Sequence, residues 1–149
     1  MLNRRRLLAA LPLLAAAPAC AASPTRALTV YKTASCECCG GWITAMTRAG
    51  FQAKVVVADD ISPVWRRHGV PDTLSSCHVG EIGGYITVGH VPATDVERLL
   101  RERPKAVGLS VPGMPWGSPG MERPDGVKEA YATLLLLPGG AHRVFARHA

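Results

Sequence analysis

No stretch of this sequence is long and apolar enough to cross a bilayer. The run from Leu7 to Ala17 is broken by Pro12 and falls short of the roughly 20 residues a spanning helix needs. Aromatic residues make up only 5% of the chain, and no basic patch is interleaved with them, so a nucleic-acid partner has little support. There are no internal repeats, and no low-complexity segment beyond a Gly/Pro-rich stretch at 107–122. With 149 residues there is no room for two comfortable domains, but a 48% hydrophobic content suffices for one with a core.

The first residues stand apart from that domain. Met1 to Ala22 has a charged start (Arg4, Arg5, Arg6), a short apolar run and then small residues, which is the layout of an export signal. Asn3-Arg4-Arg5-Arg6-Leu7-Leu8 also fits a twin-arginine signal loosely. Cleavage after Ala19 would leave Cys20 as a lipidated N-terminus, but Ala17 and Pro18 make a poor lipobox, so a soluble periplasmic chain over 23–149 is the expectation. Losing Arg4, Arg5 and Arg6 lowers the formal charge from +6 to about +3.

Of the five cysteines, Cys20 goes with the signal, leaving Cys36, Cys38, Cys39 and Cys77. In an oxidising compartment four cysteines suggest two structural disulfides. Three of them, however, fall within one turn, so at least one bridge would join near neighbours and close almost no loop. Cys36 and Cys39 alone form a C-x-x-C, the spacing of a redox pair. The first turn of a helix, with its free N–H groups, favours the thiolate that attacks disulfides or binds metal. The third thiol, Cys38, tips the balance toward a multidentate soft-metal site.

The order of elements reads as an α/β fold. An apolar run at Leu28 to Lys32 predicts a strand, and Trp42, Ala45, Met46 and Ala49 predict a helix over 41–49 that ends at Gly50 and places Met46 in the core. The β-branched run in Ala53 to Ala58 predicts a buried strand, and Ser62-Pro63 a helix capped by Ser62 and stopping at Gly69. Strands at 77–82 and 85–89 flank Gly83-Gly84, a hairpin signal. A third helix over 93–103, with Thr94 and Glu97 as a capping box, ends at Pro104. The stretch 107–122 reads as a loop, and 131–137 with 143–146 as a final hairpin. Strand, helix, strand, helix, hairpin, helix is a thioredoxin-like order: one domain, a central mixed sheet with flanking helices and an added C-terminal hairpin. The cysteine cluster falls at the first strand-to-helix turn.

In that order the third strand runs beside this turn, which makes Cys77 the natural fourth sulfur. Alternation along the strand points His78 to the opposite face from Cys77, so its roles are a nitrogen ligand or a polar residue at a strand start. His90 is a candidate for ligation or for a structural hydrogen bond, whereas His68, His142 and His148 read as surface residues. Met114 and Met121, flanked by glycine and proline, are candidate thioether ligands of copper(I) or apolar plugs that pin the loop.

Several separated motifs share one resemblance. They are Tyr31-Lys32 with the C-x-C-C cluster and Gly41-Trp42, Gly69-Val70-Pro71, Ser76-Cys77-His78, Gly84-Tyr85, Gly89-His90-Val91-Pro92-Ala93, and the stretch from Gly108 to Met121. Together they resemble the periplasmic CopG-type copper-resistance proteins, which are distinct from the ribbon-helix-helix repressor of the same name. The resemblance implies a thioredoxin-like fold and a role in handling periplasmic copper beside copper-export or copper-chaperone proteins. Its metal-binding cysteines fall on Cys36, Cys38, Cys39 and Cys77. Glu37, where a small residue is usual, adds negative charge that favours a cation, and Val79 stands where threonine commonly follows the histidine. The expectation is copper(I) held by four sulfurs, with sequestration or a change of its oxidation state as the function. A thiol-disulfide oxidoreductase using Cys36 and Cys39 and a zinc-stapled domain are the alternatives.

Overall fold

The computed structural model describes residues 26–149, so the expected export signal and Cys20 lie outside the described residues. Strand β1 (Ala27–Lys32), helix α1 (Cys38–Arg48) and strand β2 (Gln52–Val57) form a parallel βαβ unit. Cys39, Trp42 and Met46 recur at helical spacing on the buried face of α1. Gly50, at φ +89°, takes the left-handed turn that ends the helix. Helix α2 (Ser62–Arg67) leads to the antiparallel hairpin β3 (His78–Ile82) and β4 (Tyr85–Gly89). Its turn residues Gly83 and Gly84 both have positive φ, as the two-glycine signal requires. Helix α3 (Ala93–Glu102) carries the chain to β5 (Gly108–Val111), parallel to β4. The hairpin β6 (Tyr131–Leu136) and β7 (His142–His148) completes one mixed seven-stranded sheet in the order β2-β1-β3-β4-β5-β6-β7.

Apolar side chains fill both faces of this sheet. Leu28, Val30, Trp42, Met46, Phe51, Val96 and Leu99 make one core under α1 and α3. Ile61, Val64, Val79, Ile86, Val88 and Leu136 make the other, under α2. No described helix is long and apolar enough to cross a membrane.

The expected single mixed α/β sheet with flanking helices and a C-terminal hairpin is present, and several local readings change. Gly108–Val111 is a fully buried strand inside the expected loop; its four residues, opening on glycine and followed by proline, are too short to show a period. Strand β2 is the sheet edge, with Val55 and Val57 exposed by 44% and 59%, because a β-branched run reports extended backbone and not depth. Thr94 and Glu97 make no capping box: Pro92 occupies the cap of α3, and Glu97 accepts a 2.8 Å bond from Arg26. Ser62 is the first residue of α2, where the Asp60 carboxylate accepts from its N–H and its hydroxyl. Two histidines read as surface residues are half-buried and paired, His68 with Glu81 at 2.8 Å and His148 with Asp95 at 2.9 Å. His142 is exposed.

Gly108 lets β5 reach β4, since a Cβ there would collide with the backbone carbonyl of Ile86. Gly108→Ala is expected to destabilise the protein by at least about 2 kcal/mol in denaturant unfolding, the range of an overpacked core that must shift backbone.

Candidate metal centre

The cluster is built on the turn between β1 and α1. The Cys36 N–H donates to the Thr33 carbonyl at 3.2 Å, which closes the turn and brings its thiol back beside the helix. Helix α1 starts at Cys38, so Cys38 and Cys39 both lie in its first turn, among N–H groups without intrahelical partners. Cys77 directly precedes β3, which pairs antiparallel with β1 and so returns to the same end of the sheet.

The four cysteine sulfurs lie within 4.8 Å of one another. Cys36 and Cys39 are joined as a disulfide, while Cys38 and Cys77 are free thiols. The Cys38 sulfur is 3.8 Å from that of Cys36 and 3.7 Å from that of Cys77; Cys39 is 3.9 Å from Cys77. Depth separates the two pairs. Cys36 and Cys39 are buried, whereas Cys38 and Cys77 are half-buried at the opening. Burial pushes the Cys77 thiol up, and its contact with Cys38 pushes further the same way.

Both candidate histidines lie beneath the sulfurs and are fully buried. His78 Nδ1 is 3.4 Å from the Cys39 sulfur and 3.9 Å from that of Cys77, so the expectation that it points to the opposite face from Cys77 is corrected. The reason is that Cys77 stands before the first residue of β3, where strand alternation does not yet govern direction. Burial, with the charges of His90 and Lys32 adding to it, holds His78 down at about 3. Burial also lowers His90. The His90 ring is 4.9 Å from that of His78, and its Nδ1 lies 2.8 Å from the Pro119 carbonyl. A carbonyl only accepts, so Nδ1 carries the proton and Nε2 presents a lone pair. Among the described residues, the Nε2 atoms of both histidines are buried without a hydrogen-bond partner.

A strap after β5 covers the opening. Gly113 and Met114 have φ of +82° and +49°, a left-handed pair that turns Met114 back over the cluster. Its sulfur is 3.8 Å from that of Cys77 and 4.0 Å from that of Cys38. Met121 serves the strap differently, through its backbone: its N–H donates to Ser118 and its carbonyl accepts from Gly117. Just before Met121, Gly120 packs on the first turn of α1, where a Cβ added to Gly41 would stand 2.7 Å from the Gly120 Cα. This glycine-on-glycine contact is absent from the sequence reading, and no spacing rule points to it. Trp42 is a second omission: its ring is 4.5 Å from His78, and its indole N–H donates to Val91.

The donor set suits a soft cation. Thiols and a thioether supply sulfur, and two neutral imidazoles supply unpaired nitrogen behind them. The disulfide withholds two sulfurs until it is reduced.

The comparisons with known proteins bear on this site. The family described as "Protein of unknown function, DUF411" matches residues 74–121, which include Cys77, both histidines and the strap. No curated protein matches the chain. Two solved structures of copper resistance protein CopG, form 1 and form 2, are each 44% identical to it with a TM-score of 0.77. Form 1 covers 85% of this chain and 98% of its own, and form 2 covers 83% and 98%.

The buried histidines set a pH dependence of stability. Below its ordinary value of 6.5, the unfolded chain binds a proton at His78 that the folded chain refuses down to about 3. Stability of the metal-free protein is therefore expected to fall as pH drops from 6.5, by at most about 1.4 kcal/mol per pH unit for each histidine. Unfolding titrations should show a shallower slope in His78→Gln. Gly41→Ala should lift the strap, seen as faster alkylation of Cys38 and Cys77.

Proposed function

Because the chain belongs to the family of the copper resistance protein CopG, we propose that it is a copper-binding protein of copper resistance, holding copper(I) through Cys36, Cys38, Cys39 and Cys77. The observation that carries this reading is the convergence of four cysteine sulfurs within 4.8 Å on a site backed by two unpartnered imidazole nitrogens. Thiolates and thioethers favour copper(I), and the distances allow one sulfur to face more than one ion. Copper here is cargo. The chain takes it up outside the cytoplasm, in the periplasm, and passes it to an export or chaperone protein there.

The Cys36–Cys39 disulfide favours a second, compatible activity. Reducing that bond takes two electrons and two protons, the electrons released when two copper(I) ions become copper(II). The pair can therefore change the oxidation state of the cargo, or act alone as a thiol-disulfide oxidoreductase.

Copper(I) titrated anaerobically into the reduced protein, against a strong copper(I) chelator, tests the first reading. Tight binding is expected, with a loss of at least tenfold in Cys38→Ser and in Cys77→Ser; binding that ignores both substitutions would refute it. Insulin reduction that needs Cys36 and Cys39 but not Cys38 or Cys77 would establish the oxidoreductase instead. Zinc retained through purification and not displaced by copper(I) would mark a zinc-stapled domain.

A further inference from the structure

With the disulfide in place, the remaining sulfurs are Cys38, Cys77 and Met114. Their separations are 3.7, 3.8 and 4.0 Å, which makes a nearly equilateral triangle. Three equal bonds in a plane separate their ligand atoms by √3 times the bond length. A metal–sulfur bond of about 2.3 Å, as for zinc thiolates, then puts the sulfurs about 4.0 Å apart. The observed triangle has that size without rearrangement.

We propose that Cys38, Cys77 and Met114 form a self-sufficient trigonal copper(I) seat at the mouth of the cluster, one that holds a single ion while Cys36 and Cys39 remain a disulfide. The proposal rests on the copper reading and assigns separate work to the two halves of the cluster. The donors are two thiolates and one thioether, a soft set that favours copper(I) over harder divalent ions. Loading displaces one proton from each thiol and changes no oxidation state, so it needs no electron donor. The seat also lies where cargo arrives: Met114 is 42% exposed and Cys38 and Cys77 are half-buried, while Cys39 is fully buried and Cys36 is 7% exposed. Ser76 supports Cys77 from the side, its hydroxyl 4.0 Å from that sulfur.

The arrangement gives Met114 a purpose that packing does not. A methionine held at φ +49° directly after a glycine at +82° is strained for a side chain. Its sulfur nonetheless completes the triangle instead of entering the core. In the reduced chain the two inner sulfurs join the same cluster, so the disulfide sets capacity: one ion when oxidised and more when reduced.

The test uses the full chain with Cys20→Ser, oxidised at Cys36–Cys39 and checked by alkylation and mass. Anaerobic copper(I) is titrated against a chelator, and sulfur neighbours are counted by X-ray absorption. At up to one equivalent of copper(I), the expected result is one ion per chain with three sulfur neighbours and the disulfide intact, since one copper(I) carries one electron and the disulfide takes two. The double variant Cys36→Ser/Cys39→Ser, which cannot form the bond, should behave the same way. Met114→Leu should weaken binding at least tenfold and leave two sulfur neighbours, with thermal unfolding reporting that the fold is kept. Three outcomes overturn the seat: no binding to the oxidised chain, binding that consumes the disulfide, or binding unaffected by Met114→Leu. If the reduced chain still binds when the oxidised one does not, the copper reading survives without the seat; if neither binds, both fall.

Discussion

The site depends on a contact between two backbones that carry no side chains. Gly41, in the first turn of α1, and Gly120, in the strap, approach so closely that a Cβ on either would meet the other's main chain. That approach seats the strap directly on the end of the helix that carries Cys38 and Cys39. Once seated, the strap supplies two groups the cluster lacks: the Met114 sulfur from above and the Pro119 carbonyl that fixes the His90 tautomer from below. A side chain at either glycine would separate the elements, and both groups would withdraw together.

Above and below that clamp, the chemistry is arranged by depth. Thiols and a thioether, at Cys38, Cys77 and Met114, occupy the boundary with water. The disulfide pair lies under them, and under that pair sit two imidazoles whose proton affinity is lowered because the surrounding core would have to bury a charge. Trp42 closes the floor against His78, tying the site to the core formed by α1 and α3. Depth therefore separates the thiols that face solvent from the bonded pair beneath them.

Local readings of the sequence succeeded where a single element carries its own signal. The face of α1 through Trp42 and Met46, the Gly83-Gly84 turn and the closing hairpin are all visible in residue order, because period and glycine conformation are local properties. They failed where a neighbour decides. Strand β5 exists because β4 and β6 flank its four residues. Val55 and Val57 are exposed because no described strand pairs beyond β2. The Thr94–Glu97 spacing matches a capping box, but Glu97 turns to Arg26 and the helix starts from Pro92. His148 looked like a terminal surface residue until β7 brought it against Asp95 and Thr133.

The sequence by itself determined the sulfur inventory, since thiol chemistry belongs to residue type and three cysteines within four positions must be neighbours in any fold. It also determined that Cys77 would join them, because a hairpin after the βαβ unit returns its strand beside the first turn. Only the tertiary structure decided how those sulfurs divide, with Cys36 and Cys39 bonded within and Cys38 and Cys77 open at the surface. It decided too that His78 faces the cysteines and that Met114, not Met121, reaches them with its sulfur. The physical reason is the same throughout: covalent order sets what a residue can bind, while depth, direction and distance of approach are set by the elements packed around it.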